Sequence, residues 1–184
     1  MLHTGKCWKY GDDVNTDVLF PGKYTYNLPP SEFAKHALED LDPDFAKQVK
    51  QGDVIVGGRN FGCGSSREQA PIAIKAAGVS VVIARSFARI FYRNAINIGL
   101  PVVEVEQHHI QPGDQLAVDL EQGVVSNLTR NERYQATRMP QQMIDILQAG
   151  GLVEYLLNYG DYVDLGNRDD IGAINAIDAI KEAA

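Results

Sequence analysis

Cysteine is nearly absent: the 184 residues hold two, Cys7 and Cys63. A four-iron cluster held by thiolates needs more cysteines, at closer spacing, so this chain cannot ligate one, and no metal is expected on it. The two thiols could in principle pair, but an intracellular setting favours free thiols, with Cys63 a small packing residue in its glycine-rich turn. Long apolar runs are missing too. None approaches the ~20 residues of a membrane span, and the N-terminal stretch lacks the apolar core of a secretory signal. A soluble, cytoplasmic protein with no membrane partner is the expectation. Positive charge is in deficit, with 17 Lys and Arg against 24 Asp and Glu and a formal net charge of −7. Without clustered basic residues the chain has no means of neutralising a phosphate backbone, which argues against nucleic acid as a partner. Internal repeats, low-complexity tracts and flexible linkers are also lacking.

What is present suits one domain, or one with appendages, long enough to bury a real core. A strand is expected over residues 5–10, leading into a loop at 12–24. Residues 27–50 form a polar insertion in which Pro29-Pro30-Ser31-Glu32 starts a helix through Leu38 and Asp42-Pro43 starts another turn. The β-branched run Val79–Ala84 reads as a buried strand, and Ser86 can cap a helix whose Phe87, Ile90, Phe91, Ala95 and Ile98 recur at helical spacing. A strand at 102–105, two alternating strands around Glu121-Gln122-Gly123, and helices near 140–149 and 152–158 complete the pattern. Strands joined by helices and followed by a hairpin give an α/β layer structure.

The richest stretch is Asn60-Phe61-Gly62-Cys63-Gly64-Ser65-Ser66-Arg67-Glu68-Gln69-Ala70-Pro71, which follows the strand 53–58 and precedes a helix expected over 66–77. Two hydroxyls and a guanidinium stand on a glycine turn at the start of that helix. Free N–H groups there favour a carboxylate or an alkoxide, and Arg67 adds a fork that matches a carboxylate. Local chemistry alone leaves a second reading open, in which a serine caps the helix and Arg67 is solvated.

Gly64-Ser65-Ser66-Arg67-Glu68 resembles the active-site turn of the swivelling domain in the aconitase superfamily. Two further segments agree in order. Gly11-Asp12-Asp13-Val14-Asn15-Thr16-Asp17-Val18-Leu19-Phe20-Pro21-Gly22-Lys23-Tyr24 resembles the first signature of the small subunit of 3-isopropylmalate dehydratases, and the run from Ala84 to Pro101 resembles the strand-to-helix unit that follows the serine turn in that family. The resemblance covers about residues 4 to 160.

It implies a β/β/α swivelling domain with a partly closed mixed sheet over residues 1–165, and leaves 166–184 as a tail with a short amphipathic helix through Ile171, Ile174, Ile177 and Ile180. Ser65 is implied as the base in alkoxide form, with Ser66 and Arg67 holding a substrate carboxylate. Thr16 and Asp17 match a Thr-Asp pair near the site, where Asp17 fixes a neighbouring charge or, read locally, caps its loop. The loop Lys23-Tyr24-Thr25-Tyr26-Asn27 is implied to reach the substrate's variable group, with Tyr26, or Lys23 after a small shift, as the reading residue. Arg85 and Arg89 either face the anion or bridge to acidic groups, and the four histidines are expected to be surface or packing residues. Where many relatives carry His, this chain has Gln69, which keeps hydrogen bonding without titration.

A 4Fe-4S cluster is expected on a large partner subunit, so the chain would be the small subunit of a heteromeric hydro-lyase isomerising 2-isopropylmalate to 3-isopropylmalate in leucine biosynthesis. The same fold acting on homoaconitate or 2,3-dimethylmalate, and a non-enzymatic anion-binding module, are the alternatives.

Overall fold

Seven strands supply the frame: β1 (Leu2–Lys9), β2 (Val54–Val56), β3 (Val81–Ala84), β4 (Val102–Glu104), β5 (Gln115–Asp119), β6 (Val124–Asn127) and β7 (Glu132–Gln135). They form one mixed sheet in the order β4, β3, β2, β1, β5, β6, β7 in a computed structural model that describes residues 1–159. The tail helix expected over 166–184 lies outside the described residues. From β1 to β4 the neighbours run parallel, and β2 and β3 are buried at every position, as strands covered on both faces must be. The β1–β5–β6–β7 side is antiparallel and alternates between buried and exposed positions on β5 and β6. The sheet curls until its edges meet, because the Thr137 N–H just past β7 donates to Glu104 O on β4 at 3.0 Å. This is the partly closed mixed sheet expected for the fold.

Among the described residues six short α-helices connect and cover it: α1 (Thr16–Leu19), α2 (Phe45–Gln48), α3 (Gln69–Ala76), α4 (Arg89–Asn97), α5 (Gln141–Ala149) and α6 (Leu152–Tyr159). Their apolar faces join the strands in one core built around Phe20, Phe45, Phe61, Ile74 and Phe91. Phe61, from the glycine-rich turn, packs edge-on against Phe91 of α4 with centroids 5.4 Å apart, which ties that turn to the core.

Several local expectations are corrected. The helix after the serine turn opens at Gln69, not Ser66, because Gly64 sits at φ +94° and the Arg67 N–H turns back onto Ser65 O at 2.8 Å. Neither serine caps it. Ser86 does not cap α4, since its hydroxyl accepts from the Asn60 N–H at 2.9 Å and the helix begins three residues later, after an extended Ala88. The insertion folds as a 3-10 helix over Pro30–His36 rather than an α-helix through Leu38, which takes a positive φ of 58°. Strand β7 has no clear sequence signal, since Glu132-Arg133-Tyr134-Gln135 has little apolar alternation and is defined by pairing to β6.

Candidate active site

Two loops lie side by side at the carboxy ends of β1 and β2 and are laced together by backbone and side-chain bonds. Asp13 N–H donates to Arg59 O at 2.9 Å, Gly62 N–H to Val14 O at 2.7 Å, and Thr16 N–H to Cys63 O at 2.8 Å. Side chains add to the lacing, with Asp12 accepting from Arg59 N–H at 2.7 Å and Asp13 from the Asn60 amide at 2.8 Å. Gly62 is obligatory, because a Cβ there would fall 2.1 Å from Phe91 Cγ and its φ is +78°.

The lacing brings Thr16 under the serine turn. Thr16 is buried, and its hydroxyl lies 3.0 Å from Ser65 O and 3.2 Å from Ser65 Oγ. Above it, Gly64, Ser65 and Ser66 are exposed, and their backbone N–H groups have no acceptor among the described residues. Three consecutive free donors on an exposed turn are available to a negative charge.

Asn15 caps α1, its side-chain oxygen accepting from Asp17 N–H at 2.9 Å and Val18 N–H at 3.1 Å. That cap aims the Asp17 carboxylate at Arg67, where it pairs with Nη1. The same Nη1 reaches Phe20 O at 3.5 Å, so the Nη2 and Nε side of the fork is left for a second anion. Gly22 makes room for it, since a Cβ there would lie 3.0 Å from Nη2.

The loop beyond Gly22 is held by Glu39, which no motif marked. Glu39 accepts from Lys23 Nζ at 3.1 Å and Tyr24 Oη at 3.0 Å, and its other oxygen is 2.5 Å from His36 Nδ1. The His36, Lys23 and Tyr24 contacts hold its carboxyl down at about 2, against the opposing effect of burial. His36 also stacks on Tyr24, with centroids 3.9 Å apart. Lys23 is therefore engaged, while Tyr26 is 95% exposed.

The expected residues thus divide. Thr16, Ser65, Asp17 and Arg67 come together, Ser66 sits on the turn with its hydroxyl free among the described residues, and Lys23 and Tyr26 stand on the adjoining loop. Arg85 instead lines a cleft with Arg59 and His108, and Arg89 is exposed at the start of α4. Both cysteines are free: Cys7 is buried in β1, and half-buried Cys63 points its thiol at Asp13 O, 3.5 Å away. Burial and Asp13 raise the Cys63 thiol, which keeps it protonated. Among the described residues no three His, Cys, Asp or Glu side chains are grouped to hold a metal ion.

Residues 24–108 match the family model of the aconitase C-terminal domain. A 3-isopropylmalate dehydratase small subunit from Caldicellulosiruptor saccharolyticus is 57% identical over 158 residues, covering 85% of this chain and 91% of the relative. One from Aquifex aeolicus is 56% identical, covering 84% and 94%. A solved 3-isopropylmalate dehydratase structure from Methanocaldococcus jannaschii superposes with a TM-score of 0.82 at 47% identity, covering 86% of this chain and 95% of that one.

Proposed function

This chain belongs to the 3-isopropylmalate dehydratase small-subunit family, and from that premise we propose that it supplies the base and a carboxylate clamp to a heteromeric hydro-lyase that interconverts 2-isopropylmalate and 3-isopropylmalate in leucine biosynthesis. The observation that carries this reading is the 3.2 Å contact between Thr16 Oγ1 and Ser65 Oγ on a turn with three free N–H groups.

A serine hydroxyl is a weak base until its alkoxide is stabilised. The N–H groups of Gly64, Ser65 and Ser66 offer fixed donors, and the Thr16 proton, held by Ser65 O in the neutral state, can swing to the alkoxide 3.2 Å away. Such donors act without reorganisation once water is excluded. Ser65 then takes the proton from the carbon next to a substrate carboxylate while the hydroxyl leaves from the adjacent carbon. Returning that proton to the carbon that lost the hydroxyl, and hydroxide to the carbon that lost the proton, completes the isomerisation. Arg67, fixed by Asp17 and Phe20 O, presents its free edge to the carboxylate, and Ser66 adds a hydroxyl.

The leaving hydroxyl needs a Lewis acid, which a 4Fe-4S cluster on a large partner subunit would supply. Two separated cysteines, one buried and one turned onto a backbone carbonyl, fit no cluster, which is why this reading puts the donors on the partner. The assembled enzyme turns over an alkylmalate in preference to homoaconitate: Glu39 neutralises Lys23, so the loop offers no spare cation for a third carboxylate, and an unpaired carboxylate against Tyr26 is costly to desolvate. Assaying the assembled subunits on isopropylmalate, dimethylmalate and homoaconitate tests this. Preference for isopropylmalate supports the reading; equal or better turnover of homoaconitate rejects it.

A further inference from the structure

A cleft of about 630 Å³ opens where the carboxy ends of β2 and β3 meet the segment 106–109, and Arg59, Arg85, Ser86, Glu106, His108 and Tyr134 are in its lining. None of Thr16, Asp17, Ser65 or Arg67 lines it. Arg59 and Arg85 are exposed, and among the described residues neither side chain has an ion-pair or hydrogen-bond partner. Their backbones are fixed, the Arg59 N–H on Asp12 Oδ1 at 2.7 Å and the Arg85 N–H on Gly58 O at 3.0 Å. Two arginines just past the carboxy ends of adjacent parallel strands therefore line one cleft. The carboxy ends of parallel strands are where α/β sheets receive ligands.

Glu106 is the one carboxylate of the lining against two arginines, so the cleft carries a net positive charge. His108 forms the floor, 9% exposed, with neither ring nitrogen partnered among the described residues. Burial, then Lys9, Arg85 and His109, hold its pKa down at about 4, so near neutrality His108 is uncharged. Guanidiniums recognise oxyanions through paired N–H groups, and the Glu106 carboxylate disfavours a large polyanion there.

We propose that this cleft is a second anion site, apart from the serine turn, which takes one small oxyanion of the phosphate or short-dicarboxylate kind between Arg59 and Arg85. The anion lies beside Arg85, whose field helps to keep His108 neutral. Occupancy therefore raises the His108 pKa, a change that a merely structural pair of arginines would not produce.

The test uses the full chain, titrated calorimetrically with inorganic phosphate and separately with succinate, while NMR follows the His108 ring through pH with and without the anion. Saturable binding of either probe, an upward shift of His108 titration on binding, and at least tenfold weaker binding by the Arg59→Ala, Arg85→Ala double variant support the site, and the stronger probe identifies its chemistry. Ser65→Ala is expected to keep this binding. Absence of saturable binding overturns the proposal, as does binding that survives the double variant but is lost in Arg67→Ala, which would place the anion at the serine turn. If instead the double variant binds no less anion but loses association with the partner subunit, the arginines dock an acidic protein surface and the proposal fails. Should the double variant not fold, Arg59→Lys and Arg85→Lys take its place, since they keep charge but lose the paired donors. Weaker binding by these variants together with the wild-type His108 shift then supports the site, and unchanged binding without that shift overturns it.

Discussion

The burden at the residue scale falls on three side chains, and each has a distinct kinetic signature. Ser65→Ala removes the base and lowers kcat of the assembled enzyme far more than it raises KM. Arg67→Lys keeps the charge but loses the fork, and mainly raises KM. Thr16→Val preserves the buried shape and removes a donor to the alkoxide, so kcat should fall by about 10² to 10³ with little change in KM, the usual effect of losing one oxyanion donor. Steady-state kinetics on isopropylmalate separates these outcomes, and equal small effects from all three would assign the residues to structure. Much of this chemistry is legible in the sequence, since the Gly64–Glu68 turn and the Thr16-Asp17 pair carry the residue types that the reaction needs. Glu39 is not legible. An acidic residue in a polar insertion has no signal until folding brings Lys23, Tyr24 and His36 onto it.

Among the elements, the two laced loops hold Thr16 and Ser65 together, and the proposed reading gives the choice of substrate to the 23–27 loop. Gly62→Ala would push a methyl group into Phe91 from a backbone that favours glycine. Overpacking alone costs about 1–3 kcal/mol, so thermal unfolding should show a lowered Tm, and turnover should fall as Ser65 moves relative to Thr16. Tyr26→Arg places an unpaired cation on the exposed tip of its loop and is expected to shift the kcat/KM ratio from isopropylmalate toward homoaconitate; an unchanged ratio would remove Tyr26 from substrate reading. The strands β2 and β3 are readable from β-branched runs, and α5 and α6 from their periodicity. The starts of α3 and α4 depart from expectation because both serines are diverted from capping. Serine at a helix entrance is a good cap in isolation, but the Gly64 turn diverts the chain before α3 begins, and Asn60 claims the Ser86 hydroxyl.

The whole molecule is a curled mixed sheet whose parallel half carries both the serine turn and the arginine cleft at the carboxy ends of its strands. Its closure is implied only by resemblance, because a bond such as Thr137 to Glu104 joins residues 33 positions apart in sequence and no local pattern encodes it. Buried His108 makes stability depend on pH in a definite direction. Its folded pKa of about 4 lies below the ordinary 6.5, so the unfolded chain takes up the proton first as pH falls. The stability it contributes is complete above about pH 6.5 and is lost progressively as pH falls toward about 4. Glu39 acts lower, its contribution present above pH 4.5 and lost as pH falls toward about 2. Thermal melts of wild type and His108→Gln across about pH 4 to 7 should therefore converge at low pH relative to their separation near neutrality, and parallel curves would contradict the assignment.

The central claim is that this chain holds the base and clamp of a hydro-lyase that another subunit completes. The most direct measurement is isopropylmalate dehydration by the purified chain alone, by the large subunit alone, and by the two mixed under anaerobic conditions. The account predicts a colourless, inactive chain, an inactive large subunit, and turnover on mixing that disappears with Ser65→Ala. Catalysis by this chain without a partner, or undiminished turnover by the Ser65→Ala mixture, would contradict it.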